Sequence, residues 1–136
     1  MTTRKIIIHT ILIAAATCGI AACQKDKTPA AEPSKVTISI SAPVAGAIYH
    51  KGDTVNITAA VGYISQMHGY ELKIKNKSTG IVYFTADEDV HASAFNVNQQ
   101  WVDTLSSAAA LELEITAEID HNGNEAEKQV EFNSQP

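Results

Sequence analysis

His68, His91 and His121, with Asp120 beside the last, are the side chains of this sequence whose types could do chemistry together. Imidazole and carboxylate are the donors that borderline transition metals such as zinc or copper(II) take, and three imidazoles aimed at one axis would hold such an ion. Asp87, Glu88 and Asp89 offer further oxygens nearby, and Met67 would suit copper(I). In an extended chain, however, Met67 points away from its neighbour His68. No HExxH or CxxC spacing ties these residues, so only the fold can gather them. The competing reading is structural: polar caps on a core, hydrogen-bonded to loop carbonyls or to Asp120.

Other chemistries have less to stand on. Asp120, Asn122 and Asn124 imitate the start of an EF-hand loop, but the later glycine and the bidentate glutamate are missing, which weighs against calcium. Asp87 to Asp89 reads more simply as a solvated, self-repelling loop. Ser106 and Ser107 lie in no nucleophile-elbow context and there is no glycine-rich phosphate loop, so the chain is expected not to be an enzyme. A histidine-bound metal with an open position would be the one route to catalysis.

The elements that must position the histidines are strands. Val36, Ile38 and Ile40 alternate with Thr37, Ser39 and Ser41; Val55, Ile57, Ala59 and Val61 follow the turn residues Lys51-Gly52-Asp53. Tyr70, Leu72 and Ile74 form a third set, closed by Asn76-Lys77-Ser78-Thr79-Gly80. Residues 81–86 make a fourth strand, with either Val82 and Phe84 or Ile81 and Tyr83 inward, and residues 93–97 a fifth carrying Phe95 and Val97. The longest run sets Leu111, Leu113, Ile115, Ala117 and Ile119 against Glu112, Glu114, Thr116, Glu118 and Asp120. The hairpin signal Asn122-Gly123 then leads to a last strand with Val130 and Phe132 inward. Residues 99–110 are expected to make a short helical turn carrying Trp101, read as a core plug, and Leu105.

Seven short strands of this kind suit an antiparallel β-sandwich. Ser41-Ala42-Pro43 with Gly46, Gly52, Asp53 and Val55 resembles the first-strand corner of bacterial immunoglobulin-like domains, and Asp120-His121-Asn122-Gly123-Asn124 resembles the hairpin before their last strand. The resemblance implies an immunoglobulin-like sandwich and says nothing of activity. If strand directions alternate, the second, fourth and sixth strands end at one pole. His68, His91 and His121 then share that pole, and His50 lies at the other. His68 is also in phase with Tyr70 and Leu72, His91 with Phe95 and His121 with Ile119, so each extends an inward-facing row. The first strand, antiparallel to the second, is expected to start at the histidine pole.

The N-terminal residues say where such a domain would work. Arg4 and Lys5 precede an apolar stretch from Ile6 to Ala16 and small residues to Ala22, the order of an export signal. Ile20-Ala21-Ala22-Cys23 resembles the lipobox of bacterial lipoproteins, which implies cleavage before Cys23 and lipid on its thiol. Several acyl chains on one residue hold a protein stably where one holds it marginally. Gln24 to Ser34 is polar and carries Pro29 and Pro33, a tether able to span roughly 40 Å at ~3.3 to 3.6 Å per residue. Its opening, Gln24-Lys25-Asp26-Lys27, resembles the surface-export signal of Bacteroidetes lipoproteins, although Lys27 stands where acids are more usual.

The expected organisation is therefore a signal peptide over 1–22, a lipidated cysteine and tether over 23–34, and a sandwich over 35–136. Cys18 leaves with the leader, so the sandwich must hold by packing without a disulfide. Eight lysines then face fifteen acids, a balance that argues against nucleic acid. The expected function is a non-enzymatic binding module anchored in the cell envelope, on the outer membrane and facing the surface or the periplasm, with an unknown protein or glycan partner. The alternative is a lipoprotein that binds copper or zinc.

Overall fold

The computed structural model describes residues 30–136. Residues 1–29, with the expected leader, the Cys23 anchor and most of the tether, lie outside the described residues. The rest is an immunoglobulin-like β-sandwich of eight strands: β1 (Thr37–Ala42), β2 (Ile48–His50), β3 (Thr54–Gly62), β4 (Gly69–Asn76), β5 (Val82–Asp89), β6 (Ala94–Val102), β7 (Ala109–Glu118) and β8 (Glu125–Gln135). One sheet has the order β1-β3-β6 and the other β2-β8-β7-β4-β5.

Alternation explains the register. Val55, Ile57, Ala59 and Val61 on β3, Leu72 and Ile74 on β4, and Leu111, Leu113, Ile115 and Ala117 on β7 are all buried, while their neighbours along each strand face outward. A one-residue slip would exchange the two sets, so the core itself pins the pairing. Deleting one such Leu or Ile side chain costs about 2–5 kcal/mol, comparable to much of a small domain's stability.

Four expectations change on contact with the structure. Residues 48–50, read as part of a corner, form β2, which runs parallel to the end of β8. This additional strand, β2, has three residues, too few for a periodicity, and a distant partner supplies its hydrogen bonds. Residues 99–102, expected in a helical turn, continue β6, whose register with β3 is unbroken from Gly62↔Ala94 to Thr54↔Val102. Gln99 sits in the inward row between Val97 and Trp101, and that polar interruption hides the period of two. Trp101 is nevertheless the core plug expected of it, 6% exposed.

Asp87 to Asp89, read as a loop, are the last residues of β5, a sheet edge. Charged residues there discourage edge-to-edge pairing with another chain. Neither of the two pairs weighed for residues 81–86 is inward as a set: Phe84 and Ala86 face the core opposite Ile74 and Leu72. A register shift leaves Val82 opposite Lys75 and 46% exposed.

Strand direction survives these changes. β1 pairs antiparallel with β3, β3 with β6, β4 with β5 and with β7, and β7 with β8. Because β2 runs parallel to β8, β1 and β2 point the same way as two pieces of one path. The chain enters at the pole where β3 ends: Thr37 pairs with Gly62, and the Glu32 N–H donates to the Tyr63 hydroxyl at 2.8 Å. A single 3-10 turn at Pro33–Lys35 leads into β1.

Candidate functional site

His68, His91 and His121 meet at one pole, as strand direction requires. His68 is the last residue before β4, and its backbone is held from both sides: its N–H donates to the Glu118 carbonyl at 2.8 Å and its carbonyl accepts from Val90 N–H at 2.9 Å. That close approach is possible because Gly69 follows, where a Cβ would collide with the Glu88 carbonyl oxygen. His91 sits in the connection from β5 to β6, steadied by the Met67 N–H donating to the Ala92 carbonyl at 2.9 Å. His121 opens the turn between β7 and β8. The opposite pole holds His50, whose backbone N–H donates to the Asp53 carboxylate at 2.8 Å.

Ring geometry decides what the three can do as they stand. The His68 and His121 centroids lie 4.0 Å apart with their planes tilted by 56°, and His91 meets His68 edge-on at 5.2 Å and 86°. His68 is thus the middle of a contact row, half-buried, with exposed rings on either side. A metal needs nitrogens pointing at a common centre about 2 Å from each, whereas here one ring pair is tilted and the other meets edge to face. Among the described residues no three His, Cys, Asp or Glu side chains are disposed around a point where they could hold an ion. The buried Nδ1 of His68 has no hydrogen-bond partner among the described residues. A buried polar atom without a partner costs about 1–3 kcal/mol.

Asp120 is engaged elsewhere. Its Oδ1 accepts from the backbone N–H groups of Asn122 (2.9 Å) and Asn124 (3.2 Å), and its Oδ2 from the Asn124 side-chain amide at 2.8 Å. The Asn124 amide, and after it those backbone donors, holds the carboxyl below the usual carboxylate range. This closes the turn ahead of β8, in which Gly123 takes φ 82°. Asn122 and Asn124 serve the same turn as donors, so the EF-hand likeness is a likeness of spacing. Met67 is fully buried in the core. Glu88 accepts from the Tyr70 hydroxyl at 3.1 Å, and Gln99 Nε2 donates to the same hydroxyl at 3.0 Å. Burial first pushes the Tyr70 hydroxyl up from its ordinary pKa, the Gln99 amide opposes the shift and Glu88 adds to it.

Sequence reasoning missed one feature of this kind, the two outer faces of the sandwich. On the five-stranded sheet, Lys75 Nζ bridges Glu112 (3.0 Å) and Glu114 (2.5 Å), and Lys73 meets Glu71 at 2.7 Å. On the three-stranded sheet, Thr37, Ser39 and Ser41 of β1, Thr54, Asn56 and Thr58 of β3, and Asn96, Asn98 and Gln100 of β6 carry no charge at all. Across it Gln100 Nε2 donates to Asn56 Oδ1 at 2.9 Å, and the Ser41 and Thr58 hydroxyls meet at 2.9 Å. The signal was present in the charge-free stretch from Ala92 to Val102, but it becomes a face only once β6 is known to be one continuous strand.

No family model matches the chain and no curated protein matches it. Among solved structures it is similar to the CARDB domain of the PF1109 protein from Pyrococcus furiosus, crystallised in complex with di-metal ions. The identity is 12%, the match covers 71% of this chain and 86% of that one, and the TM-score is 0.42.

Proposed function

We propose that the chain is a non-enzymatic interaction module of the bacterial cell envelope, anchored to the outer membrane by lipid on Cys23 and displaying its sandwich at the surface or in the periplasm. The observation that carries this reading is the path of the chain into the fold. Residues 32–37 enter at the histidine pole, tied to Tyr63 and Gly62. A sandwich hung from that pole keeps its far pole and both sheet faces clear of the membrane, which supports a displayed binding domain. An export signal and a lipobox-like cysteine immediately ahead of a short polar tether support the same reading.

The test is chain labelling in the native cell. The wild type is expected to take up an alkyne-tagged fatty acid and to sediment with membranes, and Cys23→Ser is expected to lose both properties while keeping the folded domain. Label that persists in Cys23→Ser would overturn the anchor. A turnover activity of the purified chain that one side-chain change abolishes would overturn the non-enzymatic reading.

The histidine row supports a second reading, capture of copper or zinc. Its support is the contact among three imidazoles beside the unpartnered Nδ1 of His68. The outer rings must rotate to bring nitrogens together, a change open to His91 and His121 because both are exposed. Calorimetric titration of residues 24–136 with copper(II) and with zinc tests it. Stoichiometric binding that a His68→Ala/His121→Ala double variant loses is the expected result, and weak binding shared by the variant would leave the histidines as polar caps.

A further inference from the structure

The three-stranded sheet is one strand short of the surface it faces. β6 is its edge and lies over β4: the Phe95 ring stacks on Tyr70 at 5.6 Å, and Gln99 bonds the same tyrosine. In the opposite sheet β5 continues beyond β4, so nothing in the three-stranded sheet covers it. The inward row of β5 shows the consequence. Leu72 and Ile74 on β4 are fully buried, but their β5 partners Ala86 and Phe84 are only half-buried, and Glu88, next in the row, is exposed.

Among the described residues nothing pairs with the edge above this shelf. Asp103 N–H donates to the Asp53 carbonyl, and Tyr63 N–H to the Ser93 carbonyl, so the pairs flanking the β3–β6 ladder are of the hydrogen-bonded kind. In an antiparallel ladder such pairs alternate with ones whose N–H and C=O point away. Counting inward from both ends gives one answer. Phe95, Val97, Gln99 and Trp101 bond to β3, while Ala94, Asn96, Asn98, Gln100 and Val102 direct their backbone groups off the edge. Folded proteins commonly protect such an edge with charge, proline or a bulge. β5 ends in Asp87-Glu88-Asp89, β1 has a register shift near Ala42, and β2 is three residues long. β6 has nine residues, no charge, no proline and no break.

We infer that β6 is a docking edge for an extended peptide segment of a partner protein, which adds antiparallel to it as a fourth strand. Its inward apolar side chains cover Phe84 and Ala86, and a basic residue near its C-terminal end meets Glu88. The direction follows from the fold. β6 starts at the histidine pole, so an antiparallel segment finishes there, beside the acidic end of β5. A second folded copy cannot supply the strand edge to edge, because the β5 of each copy reaches beneath the shared edge into the space the other's β4 and β5 occupy. The occupant is therefore a strand free on both faces, recognised by its backbone and by alternate side chains.

This inference deepens the interaction-module reading by naming a surface and an occupant. Its test uses the full lipidated chain in detergent micelles and a fluorescent nonapeptide of alternating valine and threonine ending in two lysines. Saturable binding is expected, with slowed exchange of the Asn96, Asn98 and Gln100 amide protons. Asn98→Pro removes an N–H that the ladder does not use. It is expected to weaken binding about tenfold or more, with an unchanged melting temperature. Glu88→Lys serves as a second variant should the proline perturb folding, with a loss of about fivefold at low salt for this peptide. A peptide with its lysines moved to the N-terminus is expected to bind more weakly than the original. Absence of saturable binding, or equal binding by the wild type and both variants, overturns the inference. The anchoring experiment reads fatty-acid label, so its failure and the failure of this titration are distinguishable.

Discussion

The two outer faces of the sandwich have solved the problem of meeting water in opposite ways. The five-stranded sheet carries opposed charges in register: Lys73 faces Glu114 and Lys75 faces Glu112, while Glu131, opposite Glu112, is met by Lys77 at 2.6 Å. The three-stranded sheet carries amides, hydroxyls, small side chains and, at the end of β6, Val102, with no charge among them. Ion-paired surfaces of the first kind contribute little stability, about 0–1 kcal/mol per pair, but they stay hydrated and refuse casual contact. A neutral amide face holds water less tightly, and each amide both donates and accepts. On the docking inference, the neutral side is the one open to a partner and the charged side is closed.

The largest expected effect tests the floor beneath the open side. Trp101 is the buried side chain that ties the C-terminal end of β6 to the core. Trp101→Ala is expected to cost about 3–5 kcal/mol, read as a lower denaturation midpoint, and to loosen β6 selectively. Hydrogen exchange makes the comparison explicit: amides of β3 and β6 should lose protection before those of β7 and β8. Equal loss in both sheets would mean that the neutral face is not a separable unit.

How much of this was legible follows from where the information sits. Long alternating runs such as Leu111 to Ile119 announce both strand and inward face, because each residue reports on its own neighbours. β2 was not legible, since a three-residue strand exists only through its pairing with Asn133 to Gln135 far along the chain. β6 was half legible, because Gln99 breaks the pattern for a reason, its bond to Tyr70, that belongs to another strand. At the histidine pole, strand direction was enough to gather His68, His91 and His121. Ring orientation was not, because loop torsions beyond a strand end set it. The engagement of Asp120 within its own turn could be suspected from Asn122 and Asn124, which favour side-chain bonds to a nearby turn.

A smaller effect tests the closed side. The Lys75 ammonium, hydrogen-bonded first by Glu114 and then by Glu112, is pushed up to about 12, and it holds the Glu114 carboxyl below its usual range. The two shifts act at opposite ends of the pH scale. The raised lysine stabilises the fold fully below its ordinary value and loses that contribution as pH rises towards 12. The lowered glutamate stabilises it above the unfolded carboxyl's value, roughly 4.3, and loses that contribution as pH falls further. Lys75→Ala is therefore expected to cost about 1 kcal/mol at neutral pH, with the gap to wild type narrowing in acid below about pH 4. A gap independent of pH would show that the lysine acts through its packed methylenes instead.

The smallest expected effect is the most discriminating. The Gln100–Asn56 amide pair lies on the open face, exposed to water, so replacing either residue with alanine should change stability by no more than about 0.5 kcal/mol. Neutrality is the point of the prediction. A face kept free of charge for the sake of the fold would register these losses in its melting temperature. A face kept neutral for a partner would register them only when that partner is bound. Measuring Asn56→Ala and Gln100→Ala with and without the valine–threonine peptide separates the two cases. Stability losses above 1 kcal/mol in the free protein would return the neutral face to a structural role and leave the docking edge to stand on the β6 backbone and the β5 shelf alone.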